Sequence, residues 1–173
     1  MLSTAYLAWG VAAQREVEHI ARTSLAAQGI GAERVLVTPT PFNSVLWRVG
    51  ALEGEYYHEG FYSLLDADPA IAFDRFPRGT ALARELGDVD GVQRVASFSK
   101  GFFKLRDDGS RVLISDLRMG QEPNYTFTFA VADRRSPAMP LLRPEQVGSR
   151  PDIGRVLPWL WQRALGERMP PPR

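Results

Sequence analysis

The side chains that could carry out catalysis or bind a metal are few in this chain. It contains two histidines and no cysteine, which excludes disulfides, thiolate metal sites and a cysteine nucleophile. His19 lies near Glu16 and Glu18 but lacks the His-Glu-x-x-His spacing of a zinc-binding helix. His58 precedes Glu59 in a strand-like run, where neighbouring side chains point to opposite faces. We therefore predict no catalytic residue and no metal ligand in this chain.

Motifs for other catalytic mechanisms are missing from the sequence as well. It has no Gly-x-Ser-x-Gly turn, no P-loop and no EF-hand loop. A self-contained enzyme that uses His58 with Asp116 is an alternative, and so is a triad of His58, a serine and Asp66 or Asp116. No spacing in the sequence indicates either arrangement.

Asp116 and Arg118 are two residues apart at the end of a strand-like run, so their side chains share one face. Val112 and Ile114 lie on the same face and direct it inward. We predict that Arg118 is partly buried and held by Asp116, because an unpaired buried charge is costly. The pair either fixes the end of the strand or orients an arginine that grips an anionic ligand or partner.

A second group combines polar and aromatic side chains around two predicted strands. Asn43 follows two prolines and is placed to satisfy backbone groups in a turn. Alternatively, the group lines a binding site, which requires it to converge on one concavity with the Asp116 pair. The hypothetical binding residues are Asn43, Trp47, Arg48, Tyr57, His58, Tyr62, Asp116 and Arg118.

The periodicity of apolar residues predicts an α+β fold. We expect a mostly antiparallel, twisted sheet of about six strands, with an N-terminal helix, two short middle helices and a C-terminal helix on one face. Asp107-Asp108-Gly109-Ser110 indicates a hairpin, and the proline-rich stretch 134–150 reads as a surface connection. The expected organisation is a helix over 1–28, a single domain over 29–166 and a disordered tail over 167–173.

Composition and charge exclude some classes of partner. The net charge of +1 over 173 residues gives no basic footprint for nucleic acid. Residues 1–14 carry no charge but are too few to span a bilayer. This run is either the start of an amphipathic or buried helix or the remnant of a last membrane helix. In the second case, Arg15 and Arg22 favour a cytoplasmic side.

Three motifs carry a resemblance to a known family. They are Val37-Thr38-Pro39-Thr40-Pro41-Phe42-Asn43-Ser44-Val45-Leu46-Trp47-Arg48, Gly60-Phe61-Tyr62-Ser63-Leu64-Leu65-Asp66 and Asp116-Leu117-Arg118-Met119-Gly120. In order and combination they resemble the region after the last membrane helix in bacterial membrane-bound metal-dependent hydrolases, also described as LexA-binding, inner-membrane-associated hydrolases. The resemblance runs from Leu2 to the Trp159–Trp161 region.

The resemblance implies a role as the C-terminal domain of such a hydrolase, at the cytoplasmic side of the inner membrane. The family's divalent metal would be held by His and Asp residues of the membrane half, which this sequence lacks. We therefore expect no cofactor and no hydrolase activity in this chain alone, and a role in positioning substrate or a partner. Its partners would be the upstream membrane segment, another protein, or a second copy bound through the first helix.

A second hypothesis belongs to a different functional class. The chain would be a stand-alone, non-enzymatic binding module with a groove lined by aromatic side chains and arginine.

Overall fold

A computed structural model describes residues 2–134, 139–148 and 152–173 of the chain. These residues form an α+β fold with antiparallel sheets, which confirms the predicted class. The helices are α1 (Leu2–Ala27), α2 (Thr80–Glu85), α3 (Asp90–Phe98) and α4 (Ile153–Ala164). The strands are β1 (Arg34–Pro39), β2 (Leu46–Glu53), β3 (Tyr56–Ser63), β4 (Asp74–Pro77), β5 (Phe103–Asp107), β6 (Arg111–Asp116), β7 (Gly120–Gln121), β8 (Asn124–Tyr125), β9 (Thr128–Asp133) and β10 (Met139–Gln146).

The chain divides into two compact units instead of the single domain expected from the sequence. The first unit is Met1–Arg75 with Asp152–Arg173, and the second is Phe76–Pro151. The strands of the described residues accordingly form three sheets, with orders β1-β2-β3-β4, β10-β9-β6-β5 and β7-β8. Among the residues that the structure describes, the strands do not form the single sheet of about six strands expected from the sequence, and each unit has a core of its own.

The sheet of the first unit is organised around the β2–β3 hairpin. Glu53 pairs with Tyr56 across a two-residue turn, in which Gly54 takes a positive φ of 50°. Such turns favour glycine because they require backbone angles that a Cβ disfavours. The register then places Trp47 opposite Tyr62, so these two side chains share one face of the sheet.

Helices cover both faces of this sheet. On one face, α1 packs Val17, Ile20 and neighbouring alanines against a cluster that includes Trp47 and Tyr62. On the other face, Trp159 of α4 packs against Leu46 and Phe61, its ring at 4.9 Å from that of Phe61. The expectation of helices on one face is wrong for this unit, because β2 and β3 carry apolar residues at both even and odd positions.

The second unit contains the predicted hairpin and both short helices. Asp107 of β5 pairs with Val112 of β6 across the Asp-Gly turn, which confirms that prediction. Of the two, α3 is amphipathic and buries Val92 and Val95 in a core with Val112 and other residues of the sheet. The spacing of three residues places both valines on one face of the helix.

Part of the proline-rich stretch 134–150 is a strand and not only a surface connection. β10 pairs with β9 at the edge of its sheet, with a register shift between Pro140 and Glu145. Proline lacks an N–H donor and is tolerated in edge strands and at bulges, which explains why it does not prevent pairing here. Residues 135–138 and 149–151 lie outside the described residues.

The segment 167–173, expected to be a disordered tail, packs against the rest of the first unit. Met169 joins the cluster of Leu46, Phe61 and Trp159, and its carbonyl accepts a hydrogen bond from Trp159 Nε1 at 3.4 Å. Arg173 forms ion pairs with Glu59 and Asp74. The sequence did not reveal this packing, because the partners of the segment lie far away in the chain.

A glycine in β3 provides a test of the packing. A Cβ at Gly60 would lie 2.5 Å from Ile71 Cγ2 and 2.8 Å from the carbonyl oxygen of Ala72. We expect Gly60→Ala to lower the free energy of unfolding by about 1–3 kcal/mol, since overpacking forces the backbone to shift. Urea unfolding followed by tryptophan fluorescence reports on this unit, because all four tryptophans of the chain belong to it. The matched control is Gly50→Ala in β2, where nothing lies within 4 Å of the added atom. Equal stability of the two variants would contradict the prediction.

Candidate functional site

The structure assigns Asn43 to a local turn. Its Oδ1 accepts hydrogen bonds from the backbone N–H groups of Val45 at 3.0 Å and Leu46 at 2.7 Å. Its Nδ2 donates to Thr40 Oγ1 at 2.8 Å. These bonds shape the entry into β2, as expected from an asparagine after two prolines.

Trp47 and Tyr62 are core residues on the α1 face of the sheet. Both are buried in the cluster around α1, and Trp47 Nε1 donates to the carbonyl of Ser44 at 3.1 Å. Burial raises the pKa of the Tyr62 hydroxyl above its ordinary value, and the nearby carboxylates of Asp66 and Glu16 add to the effect. Both side chains are therefore part of the core of the first unit.

His58 is buried near the β2–β3 turn. Its Nε2 lies 2.8 Å from Glu53 Oε2, while Oε1 of the same carboxylate accepts the backbone N–H of Gly31 at 2.7 Å. The bond from Gly31, followed by that from His58, lowers the pKa of Glu53. The histidine therefore helps to fix the turn, and its carboxylate partner is Glu53 and not Glu59.

Arg48 forms a buried ion pair within the sheet. Its Nε and Nη2 lie 2.7 Å and 2.6 Å from Glu59 Oε2. Tyr57 is also buried and, by strand alternation, shares the face of Glu59 and Phe61. Arg48 and Tyr57 therefore belong to the α4 face, opposite Trp47 and Tyr62.

Asp116 and Arg118 form the pair predicted from the sequence, in the second unit. Asp116 is completely buried, and Arg118 is three-quarters buried. Two guanidinium nitrogens of Arg118 donate to the carboxylate, with Nη2 at 2.7 Å from Oδ2. This hydrogen bonding raises the pKa of Arg118, against the smaller effect of desolvation.

The eight candidate residues thus occupy separate places. Asn43, Trp47, Arg48, Tyr57, His58 and Tyr62 belong to the first unit, whereas Asp116 and Arg118 belong to the second. The six are divided between a turn and two faces of a sheet. In the described part of the first unit, they do not converge on one concavity.

A cavity that the sequence did not predict lies on the α4 side of the first sheet. Its volume is about 310 Å³. The walls come from β3, from the segment that follows it, from α4 and from the segment 167–173. The lining residues are Glu59, Gly60, Phe61, Ala70, Ala72, Asp74, Arg163, Arg168, Met169, Pro170 and Pro171.

Glu59 is the central charge of this cavity wall, and its side chain is 0% exposed. Arg48 binds its Oε2, and Arg173 Nη1 binds its Oε1 at 2.7 Å. Arg173 Nη2 reaches Asp74 Oδ2 at 2.6 Å. Burial acts to raise the pKa of Glu59, but Arg48 and Arg173 outweigh it, so the pKa is lowered. Glu59 is therefore a stable anion at neutral pH.

A second buried pair fixes α4 beside the cavity. Arg163 Nη1 and Nη2 each lie 2.6 Å from one carboxylate oxygen of Asp66. Arg163 Nη2 also donates to the carbonyl of Phe61 at 2.9 Å. The guanidinium thus ties the helix to the strand, with both partners almost completely buried.

The sequence analysis missed Glu59, although one signal could have revealed it. Arg48 and Glu59 are charges of opposite sign inside the buried strands Leu46–Glu53 and Tyr56–Ser63, and a charge inside a buried strand requires a partner. Nothing local indicated Arg173, because it is 114 residues from Glu59.

Comparisons with known proteins identify no family for this chain. No family model, no curated protein and no solved structure matches the chain. Within residues 2–134, 139–148 and 152–173, no helix is long and apolar enough to cross a membrane. In the same ranges, no group of three His, Asp or Glu side chains is arranged to hold a metal ion.

The lowered pKa of Glu59 predicts an effect of acid on stability. A folded-state pKa below the ordinary 4.5 means that the unfolded chain takes up the proton first as pH falls. The contribution of Glu59 is therefore present above about pH 4.5 and is lost as pH falls through its folded-state value. At pH 7 we expect Glu59→Gln to cost roughly 3–5 kcal/mol, because Arg48 would remain buried without its counter-charge.

We expect the difference between wild type and Glu59→Gln to shrink as the pH is lowered below about 4.5. Urea unfolding at a series of pH values measures it. Glu16→Gln, which removes an exposed carboxylate of α1, is the matched control. A difference that stays constant from neutral to acid pH would show that the carboxylate charge is not the origin of the effect.

Proposed function

We propose that the first unit is a non-enzymatic binding module that holds a proline-rich, arginine-bearing chain segment against Glu59 and Asp74, at the wall of its cavity. The observation that carries this proposal is the position of Arg173, whose guanidinium bridges Glu59 Oε1 at 2.7 Å and Asp74 Oδ2 at 2.6 Å. Two carboxylates on one guanidinium make a recognition site for that group. The segment 169–173 is then an intramolecular ligand.

The rest of the segment supports the same interpretation. Pro170 and Pro171 line the cavity, and a third proline follows. Prolines lose little conformational freedom on binding, and aromatic grooves commonly take up such segments. Here Met169 packs with Phe61 and Trp159, and the indole N–H binds its carbonyl. The cavity thus offers an apolar contact at one end and an acidic pair at the other.

The ionic state of the site favours binding over catalysis. A general acid at neutral pH needs a carboxyl group of raised pKa, whereas the pKa of Glu59 is lowered by its arginines. Asp66 is likewise committed to Arg163.

A peptide titration tests the proposal. In the full chain, Arg173→Ala removes the intramolecular guanidinium. We expect this variant to bind the peptide Met-Pro-Pro-Pro-Arg about tenfold or more tightly than wild type does, because the wild-type segment competes for charge-assisted hydrogen bonds. Isothermal titration calorimetry measures both affinities.

Two controls identify the recognised group. The peptide Met-Pro-Pro-Pro-Gln should bind more weakly to Arg173→Ala, and adding Asp74→Asn to that variant should reduce the affinity for the arginine peptide. Equal binding of the two peptides would refute recognition of the guanidinium. Absence of binding by Arg173→Ala, with its fold retained, would refute the site itself.

A second proposal follows from the resemblance and from α1. Tyr6, Leu7, Trp9 and Val11 are 50–67% exposed, and no charged residue precedes Arg15. Such a run supports contact with a membrane surface, with the upstream membrane segment of a longer protein, or with a second copy of the chain. We propose that the chain serves a bacterial membrane-bound metal-dependent hydrolase at the cytoplasmic side of the inner membrane. The metal and the hydrolytic residues would then belong to the membrane half.

Vesicle flotation tests the contact of α1 with lipid. With vesicles of phosphatidylethanolamine and phosphatidylglycerol, we expect the full chain to float. The variant Leu7→Ser/Trp9→Ser should largely remain at the bottom, since it loses roughly 1.5–3 kcal/mol for each large apolar side chain buried. Leu157→Ser, at a similarly exposed position of α4, is the control. Wild-type protein that neither floats nor self-associates in light scattering would contradict the proposal.

A further inference from the structure

The second unit presents an oriented arginine among exposed apolar side chains, independently of the cavity in the first unit. We call Phe98, Arg118, Met119 and Phe127 the Arg118 surface. Phe98 ends α3 and is 63% exposed, and Met119 is 52% exposed. The two phenylalanine rings make an edge-to-face contact at 6.3 Å. Exposed Phe and Met beside an arginine are typical of the centre of a protein interface.

Asp116 holds Arg118 by one edge of its guanidinium. Nε donates to Oδ1 at 3.0 Å, and Nη2 donates to Oδ2 at 2.7 Å. The backbone N–H of Arg118 also donates to Oδ1, at 2.9 Å. The carboxylate is completely buried, so it cannot follow the arginine if that side chain moves. The orientation of the guanidinium is therefore set by the fold.

The Nη1–Nη2 end of the same guanidinium carries N–H groups that Asp116 does not bind. Among the described residues, Nη1 of Arg118 makes no hydrogen bond, and a quarter of the side chain is exposed. With Nε and Nη2 turned toward Asp116, the fork of Nη1 and Nη2 faces away from that carboxylate. A fork of this kind fits a second carboxylate with two parallel hydrogen bonds.

The surroundings of Arg118 limit its movement further. Its guanidinium carbon lies 4.8 Å from the centre of the Phe98 ring, in a cation–π contact. The turn that follows is closed by a hydrogen bond from the Thr126 N–H to the Met119 carbonyl at 3.0 Å. Gly120 has a φ of 127°, and a Cβ there would lie 2.4 Å from the carbonyl oxygen of Asn124. The arginine is thus pre-organised, which reduces the entropy cost of binding.

We propose that the Arg118 surface docks an acidic segment of a partner protein. The outer fork of Arg118 binds a carboxylate of that segment, and Phe98 and Met119 contact an apolar side chain next to it. A carboxylate beside apolar residues fits this surface better than a nucleic acid does, because one arginine flanked by Phe and Met is not a basic tract. The chain's net charge of +1 agrees with that choice.

A pair of peptides tests the docking on the full chain labelled with nitrogen-15. The probe is acetyl-Leu-Glu-Leu-Glu-amide, and the control is acetyl-Leu-Gln-Leu-Gln-amide. We expect only the acidic peptide to give saturable shifts of the Arg118 Nε–H signal and of the Phe98 and Met119 amides. Arg118→Lys should weaken binding by about tenfold or more, because lysine keeps the charge but loses the fork.

Two further variants separate recognition from a structural effect. Phe98→Ala removes an exposed ring and should also weaken binding, with an unchanged amide spectrum elsewhere. Arg94→Lys, at an exposed position of α3 paired with Asp90, should bind as wild type does. Equal binding of the two peptides, unchanged affinity in Arg118→Lys and Phe98→Ala, or preference for a thymidine oligonucleotide over the acidic peptide would each overturn the proposal.

Discussion

The buried charge of Glu59 is the constraint on which the first unit depends. A carboxylate with no exposed surface is costly unless it is paired. Arg48 supplies one partner from the neighbouring strand, and Arg173 supplies another from the segment 167–173. The same ion pairs that satisfy Glu59 therefore also determine where that segment lies. A cavity forms beside it, lined by the strand, the helix α4 and the prolines.

Helices pack on both faces of the sheet that carries Glu59. Trp47 and Tyr62 pack under α1, while Phe61 packs under Trp159 of α4. The six first-unit residues that the sequence suggested as a site are mostly packing residues or turn residues. The charged groups of the cavity lie beside α4 instead. Arg163 and Asp66 fix this helix, and the Asp74 carboxylate is half exposed.

The second unit uses a buried carboxylate differently. Arginines from two separate parts of the chain bind the two carboxylate oxygens of Glu59. Asp116, in contrast, pairs with one arginine two residues away. The first arrangement closes a site around a guanidinium. The second fixes a guanidinium through its Nε and Nη2 groups and leaves a quarter of the arginine side chain exposed. Each unit thus pairs its buried carboxylate, but Glu59 meets two arginines whereas Asp116 meets one.

Local features of the sequence were enough to predict the α+β class, the Asp-Gly hairpin, both short helices, the role of Asn43 and the Asp116–Arg118 pair. Each depends on residues within a few positions of one another, where turn chemistry and side-chain periodicity act directly. The pairing of β10, the second covered face and the site around Glu59 were decided only by tertiary structure. Their contacts join residues far apart in the chain, 97 positions for Asp66 with Arg163 and 114 for Glu59 with Arg173. A charged residue in an apolar run indicates that it has a partner. The packing of helices and strands decides which distant side chain that partner is.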